Sequence, residues 1–340
     1  MVVGCSFEST LVLFAGNGDG TFQSPATTPV PFQPSIGAVA ADFNGDGLLD
    51  LAVGASDGVA LLVGNGDGTF LPPIFAARGF SLGGGVPFPR LVAAKLFDDR
   101  NLALAALSGT PTSFASTVVV LPGNGDGTFA APTTVTLPGL VNGFGAGAVL
   151  ADAGSDLLIS WDPDGGMASP AVQLFAGTRA AVDAGLSPGA SSLFPAATAL
   201  ATADVNGDDR PDLLGVDGDT LFAVALGTGN GAFQRSQTLP AGGQPIDLAV
   251  ADFNGDGLPD VAVADFVGTP GSCGTFGAGS VGVFLGQVDG TFQSVQRFAA
   301  GGGAAALVVA DFNGDGKPDV AVIDSGASAT QVLVLFDDWK

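Results

Sequence analysis

The sequence has no histidine, no tyrosine, a single glutamate at Glu8 and only 10 lysine or arginine residues in 340. The lack of histidine excludes a Ser-His-Asp hydrolase, a His-ligated zinc site and a histidine general base. The 33 acidic residues give a net charge of −23, which argues against nucleic-acid partners and anionic lipid. No uncharged apolar run approaches the roughly 20 residues of a membrane-spanning helix.

Cysteine is also scarce. Cys5 and Cys273 are too few for a metal cage or a disulfide-rich scaffold, and the sequence does not decide whether they pair or remain free thiols. The first eight residues lack the basic and apolar regions of a secretion signal. We interpret Val2–Cys5 as a strand rather than a lipidation box, because residues 2–6 parallel residues 52–56.

Two short phrases recur along the chain. The acidic phrase Asp-Phe-Asn-Gly-Asp-Gly-x-x-Asp occurs at 42–50, 252–260 and 311–319, with a variant at 204–212 and eroded copies at 93–99 and 150–156. The phrase Gly-Asn-Gly-Asp-Gly-Thr-Phe alternates with it at 16–22, 64–70 and 123–129, with looser copies at 227–233 and 286–292. Such spacing places many of the 54 glycines at turns between short buried strands.

Each repeat therefore predicts four strands. Strand A precedes the acidic phrase (Ile246–Ala251), strand B follows it (Asp260–Ala264), strand C precedes the second phrase (Val281–Leu285), and strand D starts at its Thr-Phe. Four strands in roughly 50 residues are typical of a β-propeller blade. We predict an all-β propeller of four-stranded antiparallel sheets, with calcium loops between the first and second strands.

Strands B and C occur seven times, whereas A and D occur six times, which favours seven blades. The alternative is six blades, with the first strand D (Phe22–Val30) completing the last blade. We predict one domain over 1–340 with units of about 1–36 (partial), 37–90, 91–145, 146–198, 199–244, 245–302 and 303–340 (partial). The first unit lacks strand A and the last lacks strand D. Sequence upstream of Met1, or a strand from a neighbouring subunit in a homo-oligomer, is expected to fill the gap.

The acidic phrases have the donor pattern of a hard cation. Side-chain oxygens stand at positions 1, 3, 5 and 9, and the backbone carbonyl at position 7 is the expected additional ligand. We predict four calcium ions, held by Asp42, Asn44, Asp46, Leu48 and Asp50; Asp204, Asn206, Asp208, Arg210 and Asp212; Asp252, Asn254, Asp256, Leu258 and Asp260; and Asp311, Asn313, Asp315, Lys317 and Asp319. The alternative is an Asx-rich turn that needs no metal.

Departures from the pattern rank these loops. Asp209 replaces the glycine at position 6, so the 204–212 site should be the weakest of the four. Lys95 stands where the first aspartate belongs, and the 152–156 copy keeps only Asp152 and Asp156, so we predict no calcium in either eroded loop. The second phrase, with Asp19, Asp67 and Asp126, is interpreted as a turn rather than an ion site.

Together the two phrases resemble the FG-GAP/VCBS repeat family, whose blades are similar to those of the integrin α-subunit head. The resemblance implies a secreted or cell-surface calcium-binding propeller for adhesion or recognition of protein or polysaccharide. Two alternatives are a structural subunit of a surface or filament assembly and a carbohydrate-binding lectin. We expect no enzyme, because loops and turns account for the paired aspartates.

Overall fold

The computed structural model describes the chain apart from residues 1, 6–8, 81, 83–90, 97–100, 109–115, 138, 148–154, 163–170, 176–196, 218–219, 230–231, 266–278, 325–330 and 336–340. Within the described residues all regular structure is β-strand, and no helix is long and apolar enough to cross a membrane.

Strands that follow one another in sequence pair antiparallel, and each sheet has its strands in chain order. The first sheet holds β1 (Val2–Cys5), β2 (Thr10–Leu13) and β3 (Ala26–Pro29). The second holds β4 (Pro34–Ala41), β5 (Asp50–Ala55), β6 (Gly58–Leu62) and β7 (Ile74–Arg78). The third holds β8 (Leu91–Ala94), β9 (Ala103–Ser108), β10 (Ser116–Leu121) and β11 (Thr133–Leu137).

Four further sheets follow in the same manner. The fourth holds β12 (Leu140–Gly147), β13 (Asp156–Asp162) and β14 (Ala171–Phe175). The fifth holds β15 (Ala197–Ala203), β16 (Asp212–Asp217), β17 (Leu221–Gly227) and β18 (Phe233–Pro240). The sixth holds β19 (Pro245–Ala251), β20 (Asp260–Asp265), β21 (Ser280–Phe284) and β22 (Gln296–Ala299). The seventh holds β23 (Ala304–Ala310), β24 (Asp319–Asp324) and β25 (Gln331–Leu335).

This succession of antiparallel sheets is an all-β propeller, as the repeats predict. Contacts divide the chain into two compact units. One comprises Met1–Ala15, Phe22–Ala168 and Gln173–Gly189, and the other comprises Gly16–Thr21, Ser169–Val172 and Ala190–Lys340. Strands β4, β12 and β15 begin at residues 34, 140 and 197, a few residues before the predicted unit starts at 37, 146 and 199.

The hydrophobic core lies between consecutive sheets within each unit. In the first unit Phe43 of the second sheet and Leu104 of the third share one buried cluster. In the second unit the ring of Phe222 lies 4.7 Å from that of Phe284 and 5.2 Å from that of Phe292, which joins the fifth sheet to the sixth. The recurring phenylalanines therefore include residues that pack between sheets.

Strand D differs from its predicted start. It begins at Ala26, Ile74, Thr133 and Gln296 in four of the five described cases, several residues after the Thr-Phe. In three loops the phenylalanine instead forms an isolated bridge to the first glycine of the second phrase, as between Gly64 and Phe70. The glycine turns bring the chain back on itself before the strand can pair.

The first and seventh sheets have three described strands each. The first has strands B, C and D, and its strand D, β3, pairs with β2. The six-blade alternative placed this strand on the last blade, and the observed pairing contradicts that placement. The seventh sheet has strands A, B and C, so that β25 forms its described edge.

Candidate metal centres

The four acidic loops each connect strand A to strand B of one sheet. In the second sheet, Asp42 directly follows β4 and Asp50 is the first residue of β5. Gly45 and Gly47 have φ of 77° and 83°, so these turns require the left-handed conformation that glycine adopts freely. Asp209, at the position of Gly47 in the 204–212 loop, has φ of 61° and is one of two non-glycine residues with positive φ in the described chain.

Side chains at positions 1, 3 and 5 form a local network. In the second sheet, Asp42 accepts hydrogen bonds from the backbone N–H of Gly45 at 2.7 Å and of Gly47 at 2.9 Å. The amide of Asn44 donates to Asp46 at 2.8 Å, and the Asp46 N–H donates back to Asn44 at 2.9 Å. The same set recurs in the other three loops. These side chains are half-buried or exposed.

The aspartate at position 9 behaves differently, and sequence reasoning missed its role. Asp50 is 1% exposed. It accepts from the N–H of Phe43 at 3.0 Å and from the N–H of Gly64 at 2.9 Å. Position 9 thus ties its own loop to the end of strand C in the same sheet. Asp212 and Asp260 make the equivalent bonds, and Asp319 accepts from Phe312.

One sequence signal does point to this role. The fourth sheet has an eroded loop, yet Asp156 is still the first residue of its strand B, β13, and is 0% exposed. In the third sheet Ala103 is the first residue of β9, and Lys95 is exposed. A buried aspartate that keeps this place in a loop with only Asp152 left of the other donors favours a supporting role over ligation. Asp152 lies outside the described residues.

The pKa shifts of the loop aspartates have opposite directions at buried and exposed positions. Desolvation raises the pKa of Asp212 and of Asp260 above the ordinary value, against the hydrogen bonds that each accepts. Asp311 is exposed, and the backbone N–H of Gly316 is the main reason that its pKa is lowered. The charged form of Asp311 is thus favoured, whereas Asp212 and Asp260 carry their charge at a cost in desolvation.

The second phrase forms turns, as predicted. Asp19 accepts from the N–H of Thr21 at 2.9 Å and from its hydroxyl at 2.5 Å, and Asn17 donates to the same hydroxyl at 2.9 Å. The bond from the Thr21 hydroxyl is the largest cause of the lowered pKa of Asp19, and Asp67, Asp126 and Asp289 are held in the same way. Both hydrogen bonds that Asp19 accepts go to its Oδ1 and lie within the turn.

The first glycine of the second phrase marks a close approach of two backbones. A Cβ on Gly64 would lie 2.1 Å from the carbonyl oxygen of Leu49, at position 8 of the acidic loop. A Cβ on Gly227 would likewise lie 2.1 Å from the carbonyl oxygen of Pro211, and one on Gly286 would lie 2.3 Å from that of Pro259. Only glycine fits there, and the approach does not depend on the aspartate at position 9, because a Cβ on Gly123 would lie 2.0 Å from the carbonyl oxygen of Leu102 in the third sheet, where Ala103 stands at that position.

The donor set can be tested against calcium. Carboxylate and amide oxygens at positions 1, 3 and 5 lie within one turn and accept hydrogen bonds from its backbone N–H groups, and as oxygen donors they suit a hard cation. Among the described residues, however, no three acidic side chains come together as a metal cage, since position 9 points to backbone N–H groups. The residues fit a cation held by three side chains and loop carbonyls, with position 9 as a support. Cys273 lies outside the described residues, as do the side-chain surroundings of Cys5.

Comparison with known proteins gives a family and a fold. The model of the FG-GAP-like repeat matches residues 1–53, 42–88, 204–263 and 264–322. No curated protein matches the sequence. An Agrocybe aegerita lectin that specifically recognises non-reducing terminal N-acetylglucosamine is similar over 99% of this chain and 90% of its own, with a TM-score of 0.52 and 20% identity. BBS1N, solved in complex with ARL6DN, is similar over 100% of this chain and 92% of its own, with a TM-score of 0.61 and 13% identity.

Proposed function

The chain belongs to the FG-GAP-like repeat family, and we propose that it is a non-catalytic extracellular propeller that binds calcium and recognises a protein or polysaccharide. The observation that carries the calcium proposal is the network at positions 1, 3 and 5, which is the same in four loops. Each loop gathers two carboxylates and an amide oxygen within five residues, and these are the oxygen donors that calcium prefers.

The chain's own residues divide the work in each loop. Positions 1, 3 and 5 offer side-chain oxygens to the ion, and position 7 offers its carbonyl, so that Leu48, Arg210, Leu258 and Lys317 are interchangeable there. Position 9 holds the loop against strand C. A bound cation supplies positive charge that offsets the repulsion between the outer carboxylates. The ion thus stabilises the turn between strands A and B.

Counting ions tests the proposal. Mass spectrometry under native conditions should find about four calcium ions per chain, given four complete loops. Chelation should lower the melting temperature, and acidification should release the ions, since ligating carboxylates must be ionised. A chain that carries no calcium at millimolar concentrations, with a melting temperature indifferent to chelator, would overturn the metal proposal.

The calcium affinity expected for such loops supports an extracellular location in this proposal. Extracellular calcium modules bind at about 10⁻⁴–10⁻³ M, which cytosolic calcium does not reach. Seven blades are our proposal for the propeller, because the described residues contain seven separate antiparallel sheets and a ring of seven uses each of them.

Two alternatives have an observation in their favour. The likeness to a lectin favours carbohydrate recognition, although Phe43, Phe222, Phe253 and Phe284 are buried and unavailable for stacking on sugars. The edge strand β25 favours assembly, because its apolar residues 332–335 are only half-buried whereas β6 and β21 are buried. Glycan-array binding in calcium tests the first, and solution mass with electron microscopy tests the second.

A further inference from the structure

A segment near the start of the chain docks on the last acidic loop. Segment Gly16–Thr21 links β2 to β3 and belongs to the same compact unit as Ala190–Lys340. The N–H of Gly20 donates to the carbonyl oxygen of Phe312 at 3.0 Å. A Cβ on Gly314 would lie 3.3 Å from the carbonyl oxygen of Gly18. Two backbone contacts thus join positions that are almost 300 residues apart in sequence.

The same contact occurs in the other compact unit, between the loops 123–129 and 42–50. The N–H of Gly127 donates to the carbonyl oxygen of Phe43 at 3.0 Å. A Cβ on Gly45 would lie 3.4 Å from the carbonyl oxygen of Gly125. Because the contact recurs at equivalent positions of two loop pairs, we interpret the docking as a regular feature of the repeat.

The carboxylates of the last loop orient the carbonyl that receives Gly20. Asp319 accepts from the N–H of the same residue, Phe312, at 2.9 Å. Asp311 accepts from the N–H of Gly314 at 2.6 Å and of Gly316 at 2.9 Å. The direction of the Phe312 carbonyl therefore depends on the shape of this loop, and so does the docking of Gly16–Thr21.

Resting on the proposed calcium binding, we propose that the loop 311–319 is a calcium-dependent latch for Gly16–Thr21. An ion at Asp311, Asn313 and Asp315 holds the loop in the conformation that accepts Gly20. Loss of that ion releases the segment, while loss of an ion from another loop leaves it docked. Calcium at one site thereby secures a segment from the opposite end of the sequence.

Matched variants separate the latch from general stability. Asp311→Ala and Asp252→Ala should each remove one ion by native mass spectrometry, because they occupy position 1 of equivalent loops. Amide hydrogen exchange at Gly20, whose N–H makes the docking bond, should rise about ten-fold in Asp311→Ala but not in Asp252→Ala when calcium is present, and it should rise equally in the wild-type chain when calcium is chelated. Equal exchange in the two variants, with one ion lost from each, would overturn the latch and leave the proposed calcium binding intact.

A second pair tests the docking surface without touching a carboxylate. Gly314→Ala adds a Cβ against Gly18, whereas Gly255→Ala places the same group where no atom lies within 4 Å. The two glycines have φ of 80° and 75°, so the backbone strain cancels in the comparison. Gly314→Ala should raise exchange at 17–23 about ten-fold above Gly255→Ala at an unchanged ion count. No difference would overturn the docking, and a wild-type chain without ions would refute the proposed function instead.

Discussion

Replacing Asp260 by alanine separates the supporting role of position 9 from calcium ligation. Asp260 is 0% exposed and accepts from the N–H of Phe253 at 2.9 Å and of Gly286 at 2.7 Å. A buried N–H that loses its acceptor costs about 1–3 kcal/mol. Two such groups predict a loss of about 2–6 kcal/mol, and the lower part of that range is expected because burial already raises the pKa of Asp260, so that removing the charge recovers desolvation free energy.

The assay is urea unfolding followed by far-ultraviolet circular dichroism, in calcium and in chelator. Asp260→Ala should lose about 2–4 kcal/mol in both conditions, because the two short hydrogen bonds that Asp260 accepts, and a longer one from the N–H of Asn254 at 3.3 Å, need no metal. Asp260→Asn keeps one acceptor and should lose about half as much. Asp256→Ala, an exposed position 5, is the control and should be destabilised in calcium but little in chelator. The reasoning is refuted if Asp260→Ala matches the wild-type protein in chelator.

Two further predictions concern a half-buried aspartate and a buried phenylalanine in the second compact unit. Burial raises the pKa of Asp247, which accepts from the N–H of Leu307 at 3.0 Å, to about 6. As pH rises, the aspartate ionises in the unfolded chain before it does so in the folded protein, and the folded protein therefore loses stability between about pH 4 and 6. Asp247→Asn has no carboxylate to ionise, so its free energy of unfolding should exceed that of the wild-type protein by about 1–3 kcal/mol as pH rises from 4 to 7 in chelator. Phe222→Ala should cost about 3–5 kcal/mol in urea unfolding, because its ring is 0% exposed and packs on Phe284 and Phe292, and a loss below 1 kcal/mol would contradict that packing.

The strands were predictable because turn residues and apolar runs alternate with a fixed period. The prediction of strand B at Asp260–Ala264 differs from the observed Asp260–Asp265 by one residue. Strand D was placed too early, since the sequence locates the Thr-Phe but does not reveal that the phenylalanine pairs back with a glycine. Period and composition locate strands well, whereas the point where pairing begins depends on the path of the loop.

The metal loops show a second limit of sequence reasoning. Spacing identifies which residues have oxygen donors, and it led us to group position 9 with positions 1, 3 and 5. The direction of a side chain depends on burial, and Asp50 points into the sheet toward the N–H groups of Phe43 and Gly64. Its partner Gly64 is distant in sequence and belongs to another phrase. Asp156 was the available signal, because it keeps its place at the start of strand B in a loop that has lost the asparagine and the middle aspartate of the phrase.

Alanine substitution of the glycine that begins the second phrase shows whether another backbone lies against the first sheet at that point. Gly227→Ala places a Cβ 2.1 Å from the carbonyl oxygen of Pro211 and should cost about 1–3 kcal/mol or more, because backbone must move. Gly16 stands at the same position of its own phrase, yet no atom lies within 4 Å of its Cβ, since the described first sheet has no strand A and no acidic loop. Gly16→Ala should therefore change stability by about 0.5 kcal/mol or less in the same urea assay. A loss as large as that of Gly227→Ala would show that another backbone lies against Gly16, as it would if a further segment supplied strand A to the first sheet.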